Sequence, residues 1–123
     1  MRESEDELRN IEELVQRFDA IARAQDSACR NFETDRYNRL YKQMTDVRNA
    51  LKTCPGDQRR ALLPLLESDN PQVRLKAAIT LLAIYPALAR GVLEHLRDMG
   101  TDPQRLDAGM LLSSLDDGSF VPS

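Results

Sequence analysis

Apolar residues in this chain return every three or four positions, and no segment alternates with a period of two. Leu8, Ile11, Val15, Phe18 and Ala22 form one such stripe, the signature of an amphipathic helix over residues 4 to about 30. Ser4 followed by Glu7 reads as a capping box at its start. Phe32 closes this stretch, and Thr34 is placed to cap a second helix running to about residue 52. That helix carries Tyr37, Leu40, Tyr41, Met44, Val47 and Leu51 on one side and Arg36, Arg39, Lys42 and Asp46 on the other. The run Cys54-Pro55-Gly56-Asp57 breaks the chain, and Asp57 is a good cap for a third helix ending near Glu67. Leu62, Leu63, Leu65 and Leu66 fill that helix, and Pro64 predicts a bend.

The next start signal is sharper. Asn70 is a cap residue and Pro71 follows at the first helical position, where a missing N–H costs nothing. This fourth helix is expected to reach Tyr85, with Pro86 ending it. A fifth, built around Leu88, Val92, Leu93 and Leu96, closes at Gly100. Thr101-Asp102-Pro103 repeats the cap-then-proline start for a sixth helix, which continues to Leu115 and stops at Asp116-Asp117-Gly118. Phe120, in the short tail, is expected to fold back onto the core. The pattern therefore predicts an all-α chain of about six helices.

Composition agrees. Leu and Ala supply 30 of the 123 residues while Val and Ile supply nine, a balance that favours helix over strand. The formal net charge is −3, which argues against a dedicated polyanion binder. The longest uncharged stretch, residues 77–89, would span about 20 Å as a helix, short of the roughly 30 Å hydrocarbon core of a membrane. An acidic opening with no apolar core predicts no signal peptide, and hence a cytoplasmic protein with reduced thiols.

Candidate chemistry is sparse. Cys29, Cys54 and His95 are too few and too widely spaced for a zinc site. No third group supports a Cys–His nucleophile, and no glycine-rich phosphate loop, GxSxG or HExxH occurs. Both cysteines read as small packing residues, and His95 as a side chain near a helix end. No cofactor and no catalytic activity are expected.

Residues 61–86, ALLPLLESDNPQVRLKAAITLLAIYP, resemble a HEAT repeat. They carry a leucine-rich first helix with its proline, a turn aspartate (Asp69) and a Val73-Arg74 pair entering the second helix. The resemblance implies that Asp69 and Arg74 are architectural. A second, degenerate unit follows at an offset of about 31 residues, setting Leu75, Ala78 and Leu81 beside Leu106, Gly109 and Leu112. The segments ELVQRF, DRYNRLY, ALLPLL, NPQVRLKAA and DAGMLLSSLDDGSF also make nearly the whole chain resemble a family of small bacterial proteins of unknown function, number two thousand and nineteen in the domain series. That resemblance implies a single HEAT/ARM-like domain, a short right-handed α-α superhelix. Within it, residues 1–53 form a capping helix pair, 57–85 a HEAT-like repeat, 86–116 the degenerate repeat and 117–123 a tail. It implies no biochemical activity.

A short solenoid works by surface binding. With Val73, Ala77, Ala78, Leu81 and Ile84 as the buried stripe of the fourth helix, Lys76, Thr80 and Ala83 point outward. The offset of 31 places Asp107, Leu111 and Ser114 beside them. The expected partner-binding row is therefore Lys76, Thr80, Asp107, Leu111 and Ser114, with Leu111 as apolar anchor. The expected function is a non-catalytic protein-interaction module for an as yet unidentified protein partner, such as an immunity or regulatory partner. A homodimer is compatible with this, and no membrane partner is expected. The alternative is a nucleic-acid-associated helical protein using residues 36–60, where seven Lys/Arg face two acids and Tyr37 and Tyr41 interleave. Against it, both tyrosines fall on the apolar stripe, and the acidic first helix can neutralise the basic second one.

Overall fold

Each break in the hydrophobic pattern becomes a helix end. The computed structural model describes residues 2–123, with side chains from residue 7 onward, and among these all regular structure is helical. Its elements are α1 (Arg2–Arg30), α2 (Thr34–Thr53), a 3-10 helix (Gln58–Glu67), α3 (Pro71–Leu81), α4 (Pro86–Met99) and α5 (Gln104–Asp117). The backbone is already helical at Ser4. Its hydroxyl, and with it the expected capping box, lies outside the described residues. Two compact units divide the chain, residues 1–62 and 63–123.

The first unit is a hairpin of α1 against α2. Its buried stripe on α1 is Leu14, Phe18, Ile21, Ala22, Gln25 and Ala28, rotated from the predicted one. Phe18 and Ala22 belong to both, but Leu8 is 62% exposed. On α2 the buried residues are Met44, Val47 and Leu51. Tyr37 and Leu40 are half-buried, and Tyr41 is exposed. The α1–α2 turn is a Schellman motif: the Phe32 N–H donates to the Cys29 carbonyl at 3.3 Å and the Glu33 N–H to the Ala28 carbonyl at 2.8 Å. That geometry explains why Thr34 does not cap α2. The Glu33 carbonyl already accepts the Tyr37 N–H, so Glu33 is the N-cap and Thr34 the first helical residue.

Gly56 and Asp57 both adopt left-handed backbone, φ 83° and 53°, and turn the chain into the 3-10 helix. Asp57 caps it as expected, accepting the Arg59 N–H at 3.3 Å. Its carboxylate also holds the buried Arg59 guanidinium through two bonds, Nε at 2.9 Å and Nη2 at 2.7 Å. This pairing lowers the Asp57 pKa below its ordinary value. The tighter 3-10 winding replaces the bent helix that was expected. Pro64, inside the segment, can neither donate to an i−4 carbonyl nor fit against one.

In the second unit α4 packs against both α3 and α5. Asn70 caps α3, its Oδ1 accepting from Gln72 N–H at 2.9 Å and Val73 N–H at 3.2 Å, with Pro71 at the first position. Arg74 Nη1 donates to the Ser68 carbonyl at 2.6 Å and so ties down the preceding turn. α3 ends at Leu81, a turn earlier than predicted. Pro86 excludes Tyr85 from helical backbone, and Tyr85, at φ −133° and ψ 65°, lies outside the helical region. α4 ends at Gly100, which leaves the helix in extended backbone, and the position requires glycine because a Cβ there would lie 2.4 Å from the Leu96 carbonyl oxygen. The repeat of the cap-then-proline start fails: Pro103 itself is the N-cap of α5, with no side-chain cap, and the Asp102 carboxylate is held by Arg105 at 3.0 Å. Gly118, at φ 80°, ends α5 in left-handed backbone. The chain then folds back, the Phe120 N–H meeting the Ser114 carbonyl at 3.1 Å.

The buried side chains of α3 and α5 meet through a hydrogen bond from Gln104 Nε2 to Gln72 Oε1 at 2.8 Å. The two residues are 32 apart, one more than the offset read from the sequence, and each is 1% exposed.

Two predictions follow from these buried polar groups. Gln104→Leu removes the buried hydrogen bond to Gln72 and should lower stability by about 1–3 kcal/mol, whereas pairing it with Gln72→Leu should cost less than the sum of the single changes. Urea titration of the three variants checks both. Asp57→Asn leaves the Arg59 charge buried against a neutral acceptor and should cost about 1–3 kcal/mol at neutral pH. Because the folded pKa of Asp57 is depressed, its contribution is complete above the ordinary carboxylate range and is lost as pH falls through the lowered value. The gap between native protein and variant should therefore close on acidification.

Candidate interaction surfaces

The predicted binding row is only partly presented to solvent. Thr80 is buried, 5% exposed, and its hydroxyl donates to the Lys76 carbonyl at 2.9 Å, which corrects its outward placement. Lys76, Leu111 and Ser114 are half-buried, and Asp107 is exposed. The Ser114 carbonyl is engaged by the returning tail, through the Phe120 N–H and the Ser119 hydroxyl. Asp107 is thus the one member of the row that stands clear, and Leu111 is not a free anchor.

The exposed apolar surface of α5 lies on its other side. α5 carries apolar residues around most of its circumference, and its buried positions Gln104, Ala108 and Leu112 use one face. Leu106 and Met110, one turn apart, are 56% and 69% exposed. They border a groove of about 340 Å³ between α4 and α5, whose other lining includes Gly109, Ser113, Arg97 and Arg105. Both arginines are engaged locally, Arg97 by Asp98 at 2.8 Å and Arg105 by Asp102 at 3.0 Å. These partners raise the pKa of each guanidinium. The signal for this ridge was present in the sequence, since a helix apolar on two sides that packs with one of them exposes the second.

A second groove, of about 300 Å³, follows α4 along Ala87, Leu88, Gly91 and His95, with Arg74 at its edge. The Arg74 Nε is buried without a hydrogen-bond partner. Cys54 lines a smaller recess of about 150 Å³ with Ile11, Pro55 and Gln58. Cys29 and Cys54 sit at half-buried positions, and neither is in a disulfide. Among the described residues no three His, Cys, Asp or Glu side chains cluster as a metal site, and no helix is long and apolar enough to cross a membrane.

The first unit presents one conspicuous side chain. Phe32 occupies the left-handed position of the Schellman turn, φ 56°, and its ring is 91% exposed. Glycine is the ordinary occupant of such a position. The basic segment is more neutralised than its sequence suggests. Arg36 pairs with Glu33 at 3.3 Å, and Arg59 is buried on Asp57. Arg39, Lys42 and Arg60 are exposed. Tyr41 is 54% exposed, although it falls on the apolar stripe read from the sequence.

These features define a small all-helical protein whose distinctive groups are exposed apolar side chains on helices and at a helical turn. The chain belongs to the family described as a domain of unknown function, DUF2019, whose profile matches residues 12–116. It is similar to the protein RPA1889 from Rhodopseudomonas palustris CGA009, known from a crystal structure, with 43% sequence identity and a TM-score of 0.89. That match covers 92% of this chain and 93% of the other. No curated protein matches the chain.

The two sides of α5 predict different responses to charge. Leu111→Asp, at a half-buried site, should cost about 1–2 kcal/mol. Met110→Asp, on the open ridge, should change stability by no more than about 0.5 kcal/mol. Denaturant midpoints at low micromolar concentration separate the two.

Proposed function

We propose that this protein is a non-catalytic protein-binding module, cytoplasmic and HEAT-like in construction, serving as an immunity or regulatory partner of another protein. Phe32 carries the reading. A phenylalanine in left-handed backbone costs about 1–2 kcal/mol relative to glycine, and its ring gains nothing from packing within the chain. The exposure of the ring ends if it enters a pocket on a partner, where a rigid aromatic is an effective anchor, and that binding offsets the backbone cost, which persists. Asn31, Glu33 and Thr34, all exposed, supply a polar rim of the kind that surrounds such anchors. The HEAT-like pattern of residues 61–86 supports the same class of function.

A second reading is favoured by one observation. Tyr41 is exposed between Arg39 and Lys42 on α2, an arrangement able to stack a base and neutralise its phosphate. It requires affinity for single strands that falls steeply with salt.

Phe32→Gly tests the first reading because it should move stability and binding in opposite directions. Thermal unfolding should rise, by about 1 kcal/mol of added stability. Capture of a stoichiometric protein from native lysate, after nuclease treatment, should be lost. A variant that is more stable and still captures the same protein removes Phe32 from the interface. Material lost on nuclease treatment alone transfers the case to Tyr41.

A further inference from the structure

We infer that Met110 is a site of reversible oxidation by hydroperoxides, with Arg97 and Arg105 as positioning residues that make its sulfur the most readily oxidised of the described methionines. The site lies in the second unit and does not depend on the role of Phe32.

Access separates the methionines first. Met44 lies among the buried residues of α2 at 6% exposure, while Met99 and Met110 are 74% and 69% exposed. Met1 lies outside the described residues. Exposure alone ranks Met99 and Met110 together, and their surroundings part them. Met110 lines the groove between α4 and α5 with Arg97 and Arg105, whereas Met99, the last residue of α4, is not part of that lining. An added Cβ at Gly109 would stand 3.7 Å from the Arg97 Cγ, so the Arg97 stem lies against α5 one residue from Met110.

Both guanidiniums retain donors. Arg97 gives Nε and Nη2 to Asp98 at 2.8 and 3.3 Å, and Arg105 gives the same two nitrogens to Asp102 at 3.0 and 3.3 Å. On each, the Nη1 hydrogens and the second Nη2 hydrogen remain. The aspartates balance the charge of this end of the groove, but the reaction calls for donors rather than net charge.

In that reaction the Met110 sulfur lone pair attacks one oxygen of the peroxide. The S–O bond forms as the O–O bond breaks. The proton on the transferred oxygen passes to the departing one, which leaves as water, or as an alcohol from an organic hydroperoxide. The thioether gives up two electrons to the peroxide and becomes a sulfoxide. Negative charge gathers on the departing oxygen in the transition state and on the sulfoxide oxygen in the product, and guanidinium N–H groups in the same groove can donate to both. The product turns the Met110 half of the Leu106–Met110 ridge polar. Its exposure leaves it open to enzymatic reduction back to the thioether.

The test is a time course of the full chain in hydrogen peroxide, read by peptide mass spectrometry. Met110 should oxidise at least about threefold faster than Met99, and Met44 more slowly than either. In denaturing urea the difference between Met99 and Met110 should vanish. Arg97→Gln combined with Arg105→Gln should bring Met110 down to the Met99 rate, with Met99 itself and the helical circular dichroism unchanged. Methionine sulfoxide reductase should then restore the thioether at Met110. Equal native rates for Met99 and Met110, or a faster Met99, overturn the inference, and this comparison needs no substitution that could unfold the chain. A lead for Met110 that persists in urea or in the folded double variant removes the arginines from the site. Sulfoxide that the reductase leaves in place overturns reversibility.

Discussion

The hydrogen bond between Gln72 and Gln104 fixes how α5 lies against α3, and much of the second unit's surface follows from it. Each amide is sealed from solvent, so rotating α5 to bury a different face would break a hydrogen bond between two buried groups. In a low-dielectric setting that penalty exceeds the gain from covering one more leucine. With Gln104 turned inward, Ala108 and Leu112 must follow it at four-residue spacing. Leu106 and Met110 are then carried outward, and Asp107, Leu111 and Ser114 to the flank. The apolar ridge is a consequence of polar register rather than a lapse in patterning.

The hairpin of the first unit depends on a comparable local constraint. The Schellman turn satisfies the Ala28 and Cys29 carbonyls at the end of α1 and reverses the chain within a few residues. It demands left-handed backbone at position 32. Here the residue type and the geometry disagree, since the position suits glycine and the chain has phenylalanine. The three phenylalanines make the contrast plain: Phe18 is fully buried and Phe120 half-buried, while Phe32 alone is almost wholly exposed. Local rules broken without a compensating gain inside the chain are where a partner is best sought.

Helix punctuation was legible in the sequence because it is local. Asn70-Pro71, Asp57, Gly100 and Gly118 each act within four residues, and each does in the structure what its chemistry predicts. The faces were less legible. On α1 the apolar residues admit two stripes sharing Phe18 and Ala22, and periodicity alone cannot choose between them. On α5 the choice is made by an amide 32 residues away, invisible to any window of sequence. That is why Leu111, rather than Met110, looked like the anchor. Thr80 was misplaced for a related reason: a threonine hydroxyl can satisfy itself on the carbonyl four residues back, here that of Lys76, and so be buried without a partner from another element. Pro64 announced a distortion, but not that the whole segment would wind as a 3-10 helix.

Charge on this protein is largely spent close to home. Asp19–Arg23, Asp26–Arg30, Glu33–Arg36, Asp57–Arg59, Arg97–Asp98 and Asp102–Arg105 all join residues within four positions of each other. Pairs of this kind steady individual helices and turns by a few tenths of a kcal/mol when exposed, and they leave little net field to attract a distant polyanion. Arg59 and Asp26 are buried, and each is answered by its neighbour. A surface so balanced cannot choose a partner by charge alone. Selection falls to the apolar groups that stand out of it, with the nearby charges setting orientation. The exposed ring at the hairpin turn and the ridge of α5 are two such groups, one in each unit, so each can be altered without touching the residues that hold the other.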